Sequence, residues 1–228
     1  MAWVPLESNP EVMTKFLHKL GVPKKWGIVD VYGLDPELLA LVPRPVLAVI
    51  LLFPDNAKAD PAKEKEAIKE PPKDEAEPPK NVYHLKQYIL NACGTVALIH
   101  SVANNLERIN LEDGFLKTFL NETMDLSFSD RGEKLTNAHG ITDTHVELAQ
   151  EGQTEAPKED APVFYHFVAF VEKDGSLYEL DGRKPGPINH GSTLPDTLLE
   201  DAARVCKKYM SRDPEEVCFT VVALAAID

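Results

Sequence analysis

The sequence predicts a mixed α/β fold in a single domain, and three observations carry this prediction. The run from Val46 to Phe53 is apolar on both faces, which is typical of a strand buried inside a sheet. Apolar residues recur at three- and four-residue spacing after Cys93, which indicates a helix. The pair Asp174-Gly175 between two strand-like runs predicts a two-residue hairpin turn. With 228 residues, the chain can bury one substantial core.

The remaining elements follow from caps, breakers and apolar periodicity. Asn9 followed by proline predicts the start of a helix that ends at Gly21. Further helices are expected in pieces over 111–149, with a cap at Ser129-Asp130, and over 200–210. Besides the central strand, we expect strands over 26–31, 164–171, 177–181 and 219–227, and a short helix over 35–39.

Two segments lack the bulky apolar residues that a packed element needs. Residues 54–80 are rich in Pro, Ala, Lys and Glu, so they cannot offset their ordering entropy, and we expect a mobile surface insertion. Residues 150–162, within a segment at about 147–162 that is here called the crossover loop, contain no apolar side chain larger than alanine apart from proline and run directly into the strand that carries His166. Long loops of this composition often act at binding sites, although an inert linker is the alternative.

Bulk composition excludes several classes of function. The net charge of −13 disfavours a nucleic-acid partner, because phosphate binding needs clustered Lys and Arg. Three widely spaced cysteines predict a reducing compartment rather than a disulfide framework, and their spacing fits no zinc site. The chain shows neither a signal peptide nor an apolar run long enough to span a bilayer. We therefore expect a cytoplasmic protein with no metal, no cofactor and no membrane partner.

Cys93 is the strongest candidate for chemistry. It lies in the predicted first turn of a helix, where the macrodipole and unpaired backbone N–H groups favour the thiolate, which is the nucleophilic form. Gln87, upstream of it, carries a neutral amide that can donate to a developing oxyanion. Taken alone, however, a free cysteine is more often a small core residue than a catalyst.

His166 and Asp181 supply a base and a carboxylate to orient it. If Asp174 and Gly175 form the turn, Lys173 pairs with Ser176, and His166 and Asp181 become diagonal neighbours on one face. A register slip of one residue would separate them, so the pairing is a sharp prediction. A buried histidine is usually structural, and the sequence assigns no site role to His18, His84, His100, His139, His145 or His190.

Several long motifs, taken together, resemble the ubiquitin carboxyl-terminal hydrolases, a family of cysteine deubiquitinases. The matching stretches cover nearly the whole chain: 3–7 (WVPLE), 30–39 (DVYGLDPELL), 42–46 (VPRPV), 91–95 (NACGT), 151–157 (EGQTEAP) and 177–191 (LYELDGRKPGPINHG). The resemblance implies a papain-like fold with a central antiparallel sheet flanked by helices, and a knotted backbone. The chain departs from the family pattern at 54–80 and at Gly186.

The resemblance also implies a role for each site residue. Cys93 would be the nucleophile, His166 the general base and then acid, Asp181 the group that orients the imidazole, and Gln87 part of the oxyanion hole. The crossover loop would arch over the site and admit only slender or unfolded leaving groups. Substrate contacts would fall on Pro5, Leu6, Glu7, Ser8, Asn9, Pro10, Ala149, Gln150, Glu151, Gly152, Gln153, Thr154, Glu155, Ala156, Glu216, Val217, Cys218 and Phe219.

The expected function is hydrolysis of small or unfolded adducts from the terminal glycine of ubiquitin by a monomer, with Nedd8 as a further expected substrate. Two alternatives stay open at this point. A catalytically silent module could bind ubiquitin without cleaving it, and a general papain-like peptidase could share the same residues. The intact set of four catalytic positions favours an enzyme over the first, and the crossover loop disfavours the second.

Overall fold

A computed structural model describes residues 2–55, 79, 81–153, 163–212 and 215–227. Its strands are β1 (Trp26–Asp30), β2 (Val46–Pro54), β3 (Tyr165–Lys173), β4 (Ser176–Leu180), β5 (Ile188–Ser192) and β6 (Thr220–Ala226). Its helices are α1 (Pro10–Lys19), α2 (Pro36–Leu39), α3 (Cys93–Ala103), α4 (Phe115–Thr123), α5 (Phe128–Thr136), α6 (His139–Leu148) and α7 (Leu198–Met210). None of these helices is long and apolar enough to cross a membrane.

All six described strands join one antiparallel sheet in the order β1-β6-β2-β3-β4-β5. The prediction of a central strand at β2 is confirmed, because it lies between β6 and β3. Its side chains alternate between two cores: Leu47 and Ile50 face one, and Val49 and Leu51 face the other. Helices cover both faces of the sheet, which explains why both faces of β2 are apolar.

The catalytic candidate begins the most buried helix. Every residue of α3 is buried, and the helix packs against β3 and β2 within the first core. A helix that is buried on all sides lies inside the core and has no solvent-facing side, and α3 is enclosed in this way. On the opposite face of the sheet, α7 packs against β2, β3 and β4 in the second core.

The hairpin between β3 and β4 has the predicted register. Lys173 pairs with Ser176, and Ala169 pairs with Leu180 at the far end of the ladder. Asp174 and Gly175 both have positive φ, as a primed two-residue turn requires. The Cβ that any residue but glycine would carry at position 175 meets no steric obstacle, so the backbone angle alone favours glycine there.

Three local predictions need correction. The cap of α5 is Ser127 rather than Ser129-Asp130, because the Ser127 hydroxyl accepts the Asp130 N–H at 3.2 Å. Helix α7 begins at Leu198, two residues before the predicted start. Strand β5 was not predicted, since its polar sequence carries no alternating apolar signal and it forms an exposed edge of the sheet. The insertion predicted over 54–80 lies almost entirely outside the described residues.

Candidate active site

The fold brings the thiol, the imidazole and the carboxylate candidates together from three distant parts of the chain. Cys93 is the first residue of α3, His166 lies near the start of β3, and Asp181 follows the end of β4. The His166 Nε2 atom lies 2.7 Å from Asp181 Oδ1, and both side chains are buried. Since a carboxylate can only accept, Nε2 carries the proton and Nδ1 remains for the thiol.

The His166 Nδ1 atom has no hydrogen-bond partner among the described residues. The Cys93 thiol interacts with the imidazole electrostatically, although the two groups do not form a hydrogen bond of regular geometry. Burial raises the pKa of the Cys93 thiol, but the interactions with His166, the Phe167 backbone N–H and Arg183 outweigh it, so the pKa is lowered overall. The thiol therefore sits where its anion is favoured.

Burial would lower the pKa of His166, yet the Asp181 carboxylate and the Cys93 sulfur raise it to about 9. For Asp181, burial alone would raise the pKa. The imidazole and the Arg183 backbone N–H, which donates to Oδ1 at 2.9 Å, instead lower this pKa well below its usual value. The directions of these shifts favour a thiolate beside an imidazolium, with a charged carboxylate behind it.

Gln87 lies beside the corner that presents Asp181. Its backbone N–H donates to the Gly182 carbonyl at 2.8 Å, and its side-chain Nε2 donates to the Ile89 carbonyl at 3.0 Å. One N–H of the amide is thus fixed by the backbone, which leaves the second free to donate elsewhere. The approach is close: a Cβ added to Gly182 would lie 2.9 Å from Gln87 Cβ and 3.0 Å from Val96 Cγ1.

A groove of about 220 Å³ opens beside the Cys93 thiol. The predicted contact residues Pro5, Leu6, Glu7, Ser8, Ala149 and Gly152 line it. Sequence reasoning missed the rest of its lining, which is Leu52, Asn91, Val163, Tyr165 and Phe167. Two of them, Leu52 and Phe167, are paired across β2 and β3, next to the pair that Phe53 forms with His166, and no local sequence pattern fixes this pairing.

The other predicted contact residues lie outside the lining of the groove. Asn9 caps α1, and its side chain accepts the N–H of Glu11 at 2.9 Å. The root of the crossover loop is tied to the N-terminal segment, since the Gln153 N–H donates to Glu7 Oε2 at 2.9 Å and Glu151 pairs with Lys15. Thr154, Glu155 and Ala156 lie outside the described residues. Pro10 starts α1, Gln150 follows α6, and Glu216, Val217, Cys218 and Phe219 precede β6.

The segment before β6 nonetheless adjoins the groove through Tyr165. Cys218 interacts with the Tyr165 hydroxyl and contributes to raising the pKa of that phenol. Val217 is exposed, whereas Phe219 packs against the second core. Within the described ranges, no group of three or more His, Cys, Asp or Glu side chains is arranged to hold a metal ion.

Comparison with known proteins agrees with this chemistry. Residues 3–211 match the family model described as "Ubiquitin carboxyl-terminal hydrolase, family 1". A ubiquitin carboxyl-terminal hydrolase of Drosophila melanogaster is 51% identical over 228 residues, covering 99% of this chain and 98% of its own. The human isozyme L1 is 46% identical over 221 residues, covering 96% of each chain.

A solved structure extends the likeness to the fold. The Trichinella spiralis UCH37 catalytic domain, bound to ubiquitin vinyl methyl ester, superposes with a TM-score of 0.79 at 28% identity, covering 100% of this chain and 97% of that one. The match in sequence and in fold leads to one conclusion. The chain belongs to family 1 of the ubiquitin carboxyl-terminal hydrolases, which are cysteine peptidases.

Proposed function

We propose that this protein hydrolyses small or unfolded adducts from the C-terminal glycine of ubiquitin by cysteine-dependent acyl transfer. One observation carries the proposal: a buried thiol at a helix start interacts with an imidazole that is itself 2.7 Å from a buried carboxylate. These are the groups that thiol hydrolysis of an acyl bond requires, and the relatives of the chain are named for hydrolysis at the carboxyl terminus of ubiquitin.

The proposed reaction has two steps. The Cys93 thiolate attacks the carbonyl carbon of the terminal glycine, and the oxyanion accepts hydrogen bonds from Gln87 and from the Cys93 backbone N–H. His166 then gives its proton to the leaving amine, alcohol or thiol, and an acyl-thioester forms. Water, deprotonated by His166, attacks that thioester and frees the enzyme, while Asp181 holds the imidazole in place throughout. No cofactor takes part.

The groove supports an extended, basic substrate tail. Its lining combines apolar side chains with the polar residues Glu7, Ser8 and Asn91, and the chain as a whole carries a net charge of −13. Ubiquitin ends in a basic segment followed by two glycines, which fits a narrow acidic approach to a buried thiol. We extend the proposal to Nedd8, to substrate contacts along the crossover loop and the segment before β6, and to a single-domain monomer that acts in the cytoplasm.

A fluorogenic ubiquitin C-terminal amide tests the proposal directly. The wild-type protein should release the fluorophore, Cys93→Ala should release essentially none, and Gln87→Ala should retain activity reduced by about 10²–10³-fold. A ubiquitin vinyl methyl ester should label Cys93 covalently, as judged by intact mass. A protein that binds ubiquitin but neither cleaves the amide nor reacts with the electrophile would be a binding module, and the proposal would be wrong.

A further inference from the structure

One buried imidazole is bonded to chain segments that form three of the walls of the substrate groove. The first wall is the segment Pro5–Ser8, the second is the start of α3 at Cys93, and the third is the root of the crossover loop at Ala149 and Gly152. These walls come from distant parts of the chain, so their separation depends on contacts between them. The described residues offer one buried polar side chain that connects all three.

That side chain is His145 of α6, which is completely buried. Its Nε2 atom lies 2.8 Å from the carbonyl oxygen of Val4, the residue before the first wall. Its Nδ1 atom lies 2.8 Å from the hydroxyl of Thr95, two residues after Cys93 on α3. The Trp3 ring covers the imidazole at 4.2 Å between centroids, and Ala149 follows four residues later on the same stretch of chain.

The hydrogen bonds fix both the tautomer and the need for an imidazole. A carbonyl oxygen only accepts, so Nε2 carries the proton, and Nδ1 accepts from the Thr95 hydroxyl. Burial lowers the pKa of His145 to about 4, which keeps this neutral form at physiological pH. The two ring nitrogens flank one carbon and point away from each other, so a single neutral imidazole donates on one side and accepts on the other.

Other contacts join only two of these walls at a time. The Asn91 side chain donates to the Trp3 carbonyl at 3.0 Å, beside the first two walls, and the Gln153 N–H donates to Glu7 at 2.9 Å, between the first and the third. The ion pairs of Lys15 with Glu151 and of Lys19 with Glu147 join α1 to α6 and the loop root through side chains that are about half exposed, where water and salt weaken them. The buried hydrogen bonds of His145 are shielded from solvent, and His145 is tied to all three walls.

We propose that His145 is a positioning residue that sets the spacing of the groove walls and thereby the affinity for the extended tail of ubiquitin. The inference rests on the proposed function, because it assigns the groove to that tail. His145 does not touch the reacting atoms. Its loss should weaken substrate binding and leave the reactivity of the thiol itself unchanged, which separates this role from general structural support of the catalytic groups.

Two substitutions remove these hydrogen bonds with little change in volume. Thr95→Val keeps the shape of the side chain and removes the hydroxyl, and His145→Phe keeps a ring against Trp3 and removes both bonds. We expect each to raise KM for the ubiquitin amide about tenfold, the effect of losing a buried hydrogen bond, with kcat within about threefold of wild type. Alkylation of Cys93 by iodoacetamide should keep its pH profile. The matched control is His139→Gln, an exposed histidine on the same helix, which should change neither parameter.

Binding measured by calorimetry with Cys93→Ala protein separates this inference from the proposed function. If the wild-type protein binds ubiquitin without hydrolysing it, the proposed function fails, and a tenfold weaker Kd in Cys93→Ala/Thr95→Val still supports the role of His145. An unchanged KM and Kd, a loss confined to kcat, or a shifted alkylation profile would overturn the inference. If His145→Phe does not fold, Thr95→Val decides the outcome by the same readouts.

Discussion

Replacing the Asp181 carboxylate by an amide should uncouple the thiol from the imidazole. Asp181→Asn keeps the size of the side chain but removes the charge that lies 2.7 Å from His166 Nε2. Without that charge, only the Cys93 sulfur opposes the effect of burial, and the pKa of His166 should fall from about 9 toward its ordinary value of 6.5. A fall of more than two pKa units would destabilise the protonated imidazole by about 3 kcal/mol relative to the neutral form, at about 1.4 kcal/mol per unit.

This loss should appear in the reactivity of Cys93, because the imidazolium stabilises the thiolate. At pH 7 we expect alkylation of Cys93 by iodoacetamide to slow by up to about 100-fold, since each 1.4 kcal/mol is a factor of about ten. Rates should be read at Cys93 by peptide mass spectrometry, since Cys218 is exposed and also reacts. Cys206 is buried with a pKa raised to about 12, so it stays unreactive.

Asp113→Asn is the matched control, because Asp113 is exposed and pairs only with Lys117 among the contacts described for its side chain. Its alkylation profile should match that of the wild type. If Asp181→Asn also keeps the wild-type profile and a kcat within about threefold, the electrostatic coupling described here is wrong. The same coupling predicts that the rate of hydrolysis by the wild-type protein falls above about pH 9, where His166 loses the proton that it gives to the leaving group.

Three further substitutions test the surroundings of the site. Gly182→Ala should lower kcat at least tenfold in the fluorogenic assay, because the new Cβ would lie 2.9 Å from Gln87 Cβ and would displace that residue. An unchanged kcat would mean that the backbone at Gly182 can shift without moving Gln87. Glu179→Gln should lower the free energy of unfolding in urea by about 3 kcal/mol, since this buried carboxylate accepts from lysine, histidine and tyrosine donors. The control is Lys15→Ala, which removes only exposed ion pairs and should leave the urea midpoint nearly unchanged. Burial lowers the pKa of His84 to about 4 in the folded protein, against 6.5 in the unfolded chain. The unfolded state therefore takes up a proton first, and the free energy of unfolding falls as the pH drops from 6.5 to 4. His84→Phe should make this pH dependence shallower by about one proton, roughly 1.4 kcal/mol per pH unit, and an unaltered slope would contradict the reasoning.

The sequence predicted those parts of the fold whose cause is local. The β3–β4 hairpin followed from Asp174-Gly175, because a two-residue turn fixes the register of both strands. Helix α3 and strand β2 followed from their apolar spacing. That register predicts that His166 and Asp181 lie close together, and the two side chains are 2.7 Å apart.

The parts that were missed depend on contacts between distant residues. Strand β5 is polar, and it is held by pairing to β4 and by His190 bonding to Glu179 at 2.8 Å, neither of which leaves a periodic signal. The lining by Leu52 follows from the pairing of β2 with β3, which no local pattern fixes. His145 appeared as an isolated histidine because its partners lie 50 and 141 residues away. The knotted backbone and the single-domain division stay predictions.

The position of β6 has a consequence for protein synthesis. This strand follows the other five described strands along the chain and leaves the ribosome after them, yet it lies between β1 and β2. Both neighbours must therefore wait for it before the sheet can close. We expect the nascent chain to expose the unpaired edges of β1 and β2 until then, and to need protection from aggregation by chaperones. A chain arrested before residue 220 should therefore fail to react with a ubiquitin electrophile, even though Cys93, His166 and Asp181 have all been translated.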